Sequence, residues 1–198
     1  GHMNCAIRTM AEAAPLVAVL AAGLGRRFGG GKLDADCAGK PLGQWALDAV
    51  AAAGLAPGVI VTGPVAPGFA AAARGWTVLA NPAPDAGQGG SLAMAAQAAL
   101  GTGRDLLVVL ADMPLVSPDH LWGLAATSET TATRWPGDRA GVPALLAGNI
   151  LRAAASLSGD RGAALLLAGS SLLDAPPGTL ADADTPKDLA RIIAVIAA

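Results

Sequence analysis

The chain has 198 residues, one domain's worth, because a single hydrophobic core keeps growing up to about 250–300 residues. Thirteen basic against fifteen acidic side chains give a net charge of −2, which excludes the basic footprint of a nucleic-acid or acidic-membrane binder. With 14% of residues charged and 53% apolar, it is neither a disordered tail nor a solvated spacer.

The apolar runs Leu16–Ala22, Leu106–Ala111 and Ile192–Ala198 fall short of the roughly 18–20 residues of a membrane-spanning helix. Arg8 and the apolar stretch after it mimic a secretory leader, but Pro15 interrupts the stretch and Gly23 follows at once. Two cysteines, Cys5 and Cys37, are too few for a disulfide framework or a four-cysteine zinc site and point to a reducing, cytoplasmic setting. Gly1-His2-Met3 reads as a cloning remnant, leaving residues 4–198 as a single domain. His120 is then the sole histidine for any Ser-His, Cys-His or histidine-metal mechanism, and its place three residues after Ser117 suggests a solvent-facing helix residue. The chemistry falls to carboxylates, lysine, arginine and backbone amides.

In chain order, Leu16–Ala22 reads as a strand buried on both faces, bounded by Gly23. A glycine-rich stretch, 23–32, follows. Pro41–Ala53 has helical apolar spacing, with Gly54 suited to its C-terminal end. Val59–Thr62 is a second strand, Phe69–Arg74 a short helix closed by Gly75, and Trp76–Ala80 a third strand. Asn81–Gly90, with its prolines and glycines, is a loop; Ser91–Leu100 is a helix and Asp105–Leu110 the most apolar strand. Ser117 caps a helix that has Pro118 at its first position. Thr130–Trp135 and Val142–Leu146 form an antiparallel pair, followed by helices near Asn149–Leu157 and Gly162–Ala168. Thr185-Pro186-Lys187-Asp188 opens a last helix towards Ala197. Strand and helix alternate about every 20 residues, so the fold class is α/β: three layers, α/β/α, around a mostly parallel Rossmann-like sheet.

The strongest local signal is Leu20-Ala21-Ala22-Gly23-Leu24-Gly25-Arg26-Arg27-Phe28-Gly29-Gly30-Gly31-Lys32, directly after the first strand. Glycines let a backbone approach a ligand, and successive amides in such a turn make an anion-binding concavity. Arg26, Arg27 and Lys32 supply the countercharge for a triphosphate. A Walker A loop fails, because Arg26 stands where its first glycine belongs and Leu33 where Ser or Thr follows the lysine. The dinucleotide fingerprint fails at Phe28, which disfavours a nicotinamide-dependent dehydrogenase.

The same run, with Gly39-Lys40-Pro41-Leu42, resembles the signature of the MobA-like nucleotidyltransferases, which attach a nucleotide to molybdopterin. Leu110-Ala111-Asp112-Met113-Pro114-Leu115-Val116, Gly141-Val142-Pro143, Gly159-Asp160-Arg161-Gly162-Ala163 and Asp182-Ala183-Asp184-Thr185-Pro186-Lys187-Asp188-Leu189 match further family segments in order. The resemblance implies the nucleotide-diphospho transferase type of sheet with a short antiparallel addition. It also implies a Mg²⁺-dependent transfer of CMP from CTP to a phosphorylated acceptor, molybdopterin, with release of pyrophosphate.

By that resemblance Asp112 and Asp184 hold Mg²⁺. Asp112 also follows the most apolar strand, where open parallel sheets place ligands; a turn-capping role before Pro114 is its plain structural alternative, as helix capping is for Asp182 and Asp184. Lys32 and Arg27 would face the phosphates, with Lys32, Arg27 and Asp112 as the catalytic set. The nucleotide would lie against Leu20, Ala21, Ala22, Gly23, Gly25, Arg27 and Lys32. Asn81, Gly89 and Ser91, on the loop and helix start that resemble the segment closing over it, would complete that site with Asp112. Guanylyl-transferring members tend to carry a second glycine where Ala22 stands, which tilts the donor to CTP over GTP. Ala164 replaces a family arginine near the acceptor, and with no tyrosine in the chain stacking would fall to Trp122 or Trp135. A guanylyl or sugar-phosphate transferase of the same fold, and a non-catalytic maturation factor serving a molybdoenzyme or its chaperone, remain alternatives. Nucleic acid and membrane are not expected partners.

Overall fold

The computed structural model describes residues 14–23, 31–84, 87–159 and 162–198. Its centre is β1 (Leu16–Ala21), whose alternate side chains enter two different cores. The chain then makes a 3-10 turn (Lys32–Asp34), a small antiparallel ribbon of β2 (Asp36–Cys37) and β3 (Lys40–Pro41), and helix α1 (Gln44–Ala52). There follow β4 (Val59–Thr62), α2 (Gly68–Ala71), β5 (Thr77–Ala80), α3 (Gln88–Gly101), β6 (Leu106–Leu110) and α4 (Pro118–Ala125). The remainder is β7 (Thr131–Trp135), β8 (Arg139–Leu146), α5 (Gly148–Ala154), α6 (Ala163–Leu167), β9 (Ser171–Leu173) and α7 (Pro186–Ala197).

Seven strands form one sheet in the order β5-β4-β1-β6-β8-β7-β9. Pairings are parallel except those of β8 with β6 and β7, so β8 alone runs against its sheet. This is the expected mostly parallel α/β sheet, with β8 as its antiparallel insertion. From β1 the chain winds one way through β4 to β5, then returns through α3 to β6 on the other side of β1. The order therefore reverses between β1 and β6, and the crevice beyond their carboxyl ends is where such sheets hold ligands.

Each face carries its own core. Val17, Val19, Ala21, Leu107 and Val109 pack with α1, α2, α4 and α7. Leu16, Ala18, Leu106 and Val108 pack with α3, α5 and Leu167 of α6. At the opposite end from the crevice, Arg104 clamps the start of β1, its Nε and Nη2 donating to the carbonyls of Ala14 (2.9 Å) and Pro15 (2.8 Å).

Several boundaries differ from the sequence reading, for local reasons. Pro41 does not open α1: Leu42 N–H donates to Ala35 O and Gly43 N–H to Leu33 O, so the chain stays in the β2–β3 ribbon until Gly43. Lys40 secures that ribbon to α1, pairing with Asp48 while its ammonium sits 3.7 Å from the centre of the Trp45 ring. The short helix covers only Gly68–Ala71, and the Asp34 carboxylate accepts from the amides of Gly68 (2.7 Å) and Phe69 (2.9 Å) at its start. α3 begins three residues before Ser91, at Gln88. The edge strand β9, three residues held only by β7, carries no pattern that a sequence reading could find. Ser117 and Thr185 cap α4 and α7 as expected, each with proline in the first turn.

His120 overturns its expectation as a solvent-facing residue. It is 4% exposed, on the side of α4 that meets β7. Thr133 Oγ1 donates to Pro143 O (2.5 Å) and so accepts from His120 Nε2 (2.8 Å), which places a proton on Nε2. Burial pushes the imidazole's pKa below its ordinary value, with nearby Asp174 offsetting only part of the shift. A folded-state pKa below the unfolded one means that the unfolded chain takes up this proton first. This contribution is complete above the ordinary histidine range and fades as pH falls through it. The melting temperature should therefore drop between about pH 7.5 and pH 5.5. The slope should flatten in His120→Gln, which keeps an N–H donor for Thr133; equal slopes in scanning calorimetry would contradict this.

One glycine is demanded by close approach. A Cβ on Gly58 would fall 2.0 Å from the backbone oxygen of Val17, and neither group can move without breaking the β1–β4 ladder. Gly58→Ala should cost about 1–3 kcal/mol or more. Gly101→Ala, at the end of α3 with nothing within 4 Å of its added Cβ, should be neutral or slightly stabilising in urea unfolding.

Candidate active site

Three segments far apart in sequence converge at the carboxyl ends of β1 and β6. Gly31 takes a left-handed backbone (φ 62°) and turns the chain into the 3-10 turn, where Leu33 buries into the first core and leaves Lys32 at the crevice. Asp112 follows β6 by two residues, and its carbonyl accepts from Ala183 N–H at 2.9 Å. That bond ties the Asp182-Ala183-Asp184 segment to β6. Ala183 is fully buried in the same core while the flanking aspartates remain solvent-accessible, the alternation expected of extended backbone. Just beyond, Asp188 Oδ2 accepts from the amides of Asp184 (3.2 Å) and Thr185 (2.9 Å), while Thr185 Oγ1 accepts from Asp188 N–H. The bond from Thr185 holds the Asp188 carboxyl below the usual aspartate range, a capping box fixing the position of Asp184.

Lys32 Nζ lies 2.9 Å from Asp112 Oδ2 and 3.4 Å from Asp184 Oδ1. Its side chain is only 13% exposed. One carboxylate oxygen from each of Asp112, Asp182 and Asp184 lies within 4.8 Å of the other two. Partial burial first, and then the neighbouring charges of Asp184 and Asp112, push the Asp182 carboxyl above the ordinary aspartate range. Three hard oxygen donors in this compass, in negative excess over one ammonium, suit a divalent cation such as Mg²⁺, which takes carboxylates together with phosphate oxygens and water. Among the described residues this is the only such acidic group.

Lys32, Asp112 and Asp184 were legible in the sequence and stand together. Leu20 and Ala21 end β1; Ala22 and Gly23 continue past it, and among the described residues nothing lies within 4 Å of where a Gly23 Cβ would be. Gly25 and Arg27 lie outside the described residues. Asn81 and Ser91 are buried and bonded to each other, Asn81 Nδ2 donating to Ser91 Oγ at 2.9 Å, while Asn81 Oδ1 accepts from Ala83 N–H. Gly89 N–H donates to Gly159 O at 3.1 Å, tying the start of α3 to the loop before α6. The sequence reading passed over Asp182 as a metal-side residue, although the alternation of Asp-Ala-Asp was its signal.

A cavity of about 260 Å³ opens beside this point, on the face of the second core. Leu20, Leu92, Val108 and Leu110 give it an aliphatic side; Gln88 and Arg139 are its polar side chains. Trp135 and Gly141 close it from the β7–β8 hairpin. The indole Nε1 donates to Val142 O at 3.0 Å, and a Cβ on Gly141 would meet the ring at 2.5 Å, so only glycine admits the tryptophan here. Gly162, Ala163 and Ala164 form a wall of small residues. Of the two tryptophans expected to stack, Trp135 lines this cavity; Trp122 is 60% exposed on α4 and is not among the lining residues.

Among curated protein sequences none matches the chain significantly. Solved structures do. Rv0371c from Mycobacterium tuberculosis H37Rv superposes with a TM-score of 0.75 at 23% identity, over 92% of this chain and 99% of that one. A nucleotidyl transferase from Methanothermobacter thermautotrophicus gives 0.77 at 23% identity, over 93% and 98%. The 2-C-methyl-D-erythritol 4-phosphate cytidylyltransferase of Thermus thermophilus gives 0.69 at 18% identity, over 93% and 100%. At these identities the likeness is one of fold. The sequence itself goes further: residues 17–175 match the MobA-like NTP transferase domain, so the chain belongs to that family and is a nucleotidyltransferase.

Proposed function

We propose that the protein transfers CMP from CTP to a phosphorylated acceptor, molybdopterin, as a cytoplasmic molybdenum cofactor cytidylyltransferase. One observation carries the reading: Lys32, Asp112 and Asp184, separated by up to 152 residues, meet at the switch point of the sheet. The donor assignment draws on Ala22, which stands where guanylyl-transferring relatives tend to carry glycine, and accords with the cytidylyltransferase among the structural neighbours. Asp112 and Asp184, with Asp182 beside them, would hold Mg²⁺. An Rv0371c structure contains manganese (TM-score 0.69, 24% identity, 92% of this chain and 99% of that one), which accords with a divalent site. Such an ion, when bound, neutralises charge on the triphosphate and positions its oxygens.

The protein's own task is positioning and charge balance. An oxygen of the acceptor's phosphate attacks the α-phosphorus of CTP; a new P–O bond forms, the α–β bridging bond breaks, and pyrophosphate leaves with the electron pair. The nucleophile is already an anion, so no general base is required and none of the residues at the site needs to be histidine. Lys32 meets the growing charge on the departing oxygens. The cavity beside Leu20 and Leu110 receives the acceptor, its aliphatic side and Trp135 against the ring system and Arg139 for anionic groups.

A thermal-shift panel of the four ribonucleoside triphosphates with and without Mg²⁺ tests the donor: a ligand that binds only the native state raises the melting temperature. CTP with Mg²⁺ should give the largest rise; GTP giving it would reassign the base. Purified molybdopterin with CTP and Mg²⁺ should release pyrophosphate, and silence with tight CTP binding would favour a maturation factor. Asp112→Asn should fold normally and lose at least about a hundredfold in turnover. Trp135→Ala should raise the acceptor's KM by up to about tenfold while leaving the CTP-induced melting shift unchanged. A loss of the CTP shift would instead move the nucleotide into the cavity.

A further inference from the structure

We propose that Lys32 is a tethered counter-cation occupying the metal seat until a nucleotide draws it away, so that metal and nucleotide bind interdependently. This rests on the reading of Asp112 and Asp184 as the metal side. The Lys32 ammonium is within hydrogen-bond distance of a carboxylate oxygen on each of these residues, and its side chain is almost withdrawn from water. Its donors take up lone pairs that a divalent cation would need. A cation arriving alone must therefore displace a partly buried ammonium and leave it unpaired beside its own two charges. A cation arriving with a triphosphate brings phosphate oxygens, which give the displaced ammonium a new partner. The two ligands then help each other, and the coupling is reciprocal: nucleotide raises metal affinity by the factor by which metal raises nucleotide affinity.

The geometry separates this role from simple phosphate binding. A lysine serving only the phosphates would need no contact with the acidic residues; Lys32 touches two of them from segments 80 and 152 residues away in sequence. Asp182 brings its oxygens into the same cluster, so removing the lysine charge leaves three carboxylates facing one another. That arrangement is the one a free divalent ion would find most favourable.

The test titrates Mn²⁺ alone into the full chain, reading free Mn²⁺ by electron paramagnetic resonance with no nucleotide present. Lys32→Met and the polar, neutral Lys32→Gln should each bind Mn²⁺ at least about tenfold more tightly than the unaltered protein, a change of about 1.4 kcal/mol. Lys32→Arg, which keeps the charge, should stay within a few-fold of it. All three should lose turnover, so binding and activity move in opposite directions in the neutral variants. Neutral variants that bind Mn²⁺ no better than the unaltered protein would overturn the proposal. Adding Asp112→Asn to Lys32→Met separates the two failures. Loss of Mn²⁺ binding there keeps the metal seat while the lysine comparison decides the competition; unchanged Mn²⁺ binding would show that the seat lies elsewhere and sink both readings.

Discussion

Like charges at close quarters repel, and the candidate site of this protein holds three carboxylates that the backbone brings together. What makes the arrangement tenable in the folded chain is the Lys32 ammonium between two of them. The Lys32–Asp184 pair, with the Asp184 side chain 43% exposed, contributes little to stability by itself. The convergence is therefore held by apolar anchors next to each charged residue: Leu33 beside Lys32, Ala111 beside Asp112, and Ala183 between Asp182 and Asp184, all in one core. The charged groups are carried by that core and do not create it.

The backbone completes the fixation. The bond from Ala183 N–H to Asp112 O joins the last segment to the turn after β6, and the Asp188–Thr185 box fixes the same segment at the start of α7. On the proposed mechanism, in which the protein contributes positioning and electrostatics, this rigidity matters more than a proton-transfer group. His120 illustrates the division of labour: the one histidine outside the amino-terminal residues is spent on joining α4 to β7 through Thr133.

Much of this was readable in advance where the pattern was local and periodic. The buried strands, the caps at Ser117 and Thr185, and the glycine after α1 follow from short-range rules, and Lys32, Asp112 and Asp184, named through their family motifs, lie within reach of one another. The readings that failed depended on tertiary partners. No pattern in the sequence says that Thr133 will offer His120 a buried acceptor. The retention of Pro41 in a two-residue ribbon is fixed by Ala35 and Leu33 carbonyls several residues away. The cavity was equally hidden: Leu20 and Trp135 were singled out for separate reasons, and nothing in the sequence says that they meet Leu92 from a third element around one space.

The two-residue period of a strand explains why cavity and acidic cluster can adjoin without merging. On β1, Leu20 turns to the second core and lines the cavity, whereas Ala21 turns to the first core, the one that anchors the charged residues. On β6, Val108 lies with the cavity, and Val109 and Ala111 lie with the acidic side. One sheet edge thus separates an apolar compartment from a charged one within a few residues of chain. A slip of one residue in the β1–β6 register would exchange the two sets of side chains. That register is held at both ends, by Leu16 N–H on Asp105 O and Ala111 N–H on Leu20 O. The bonds that close the β1–β6 ladder are therefore also what keeps the apolar cavity next to, and distinct from, the acidic cluster.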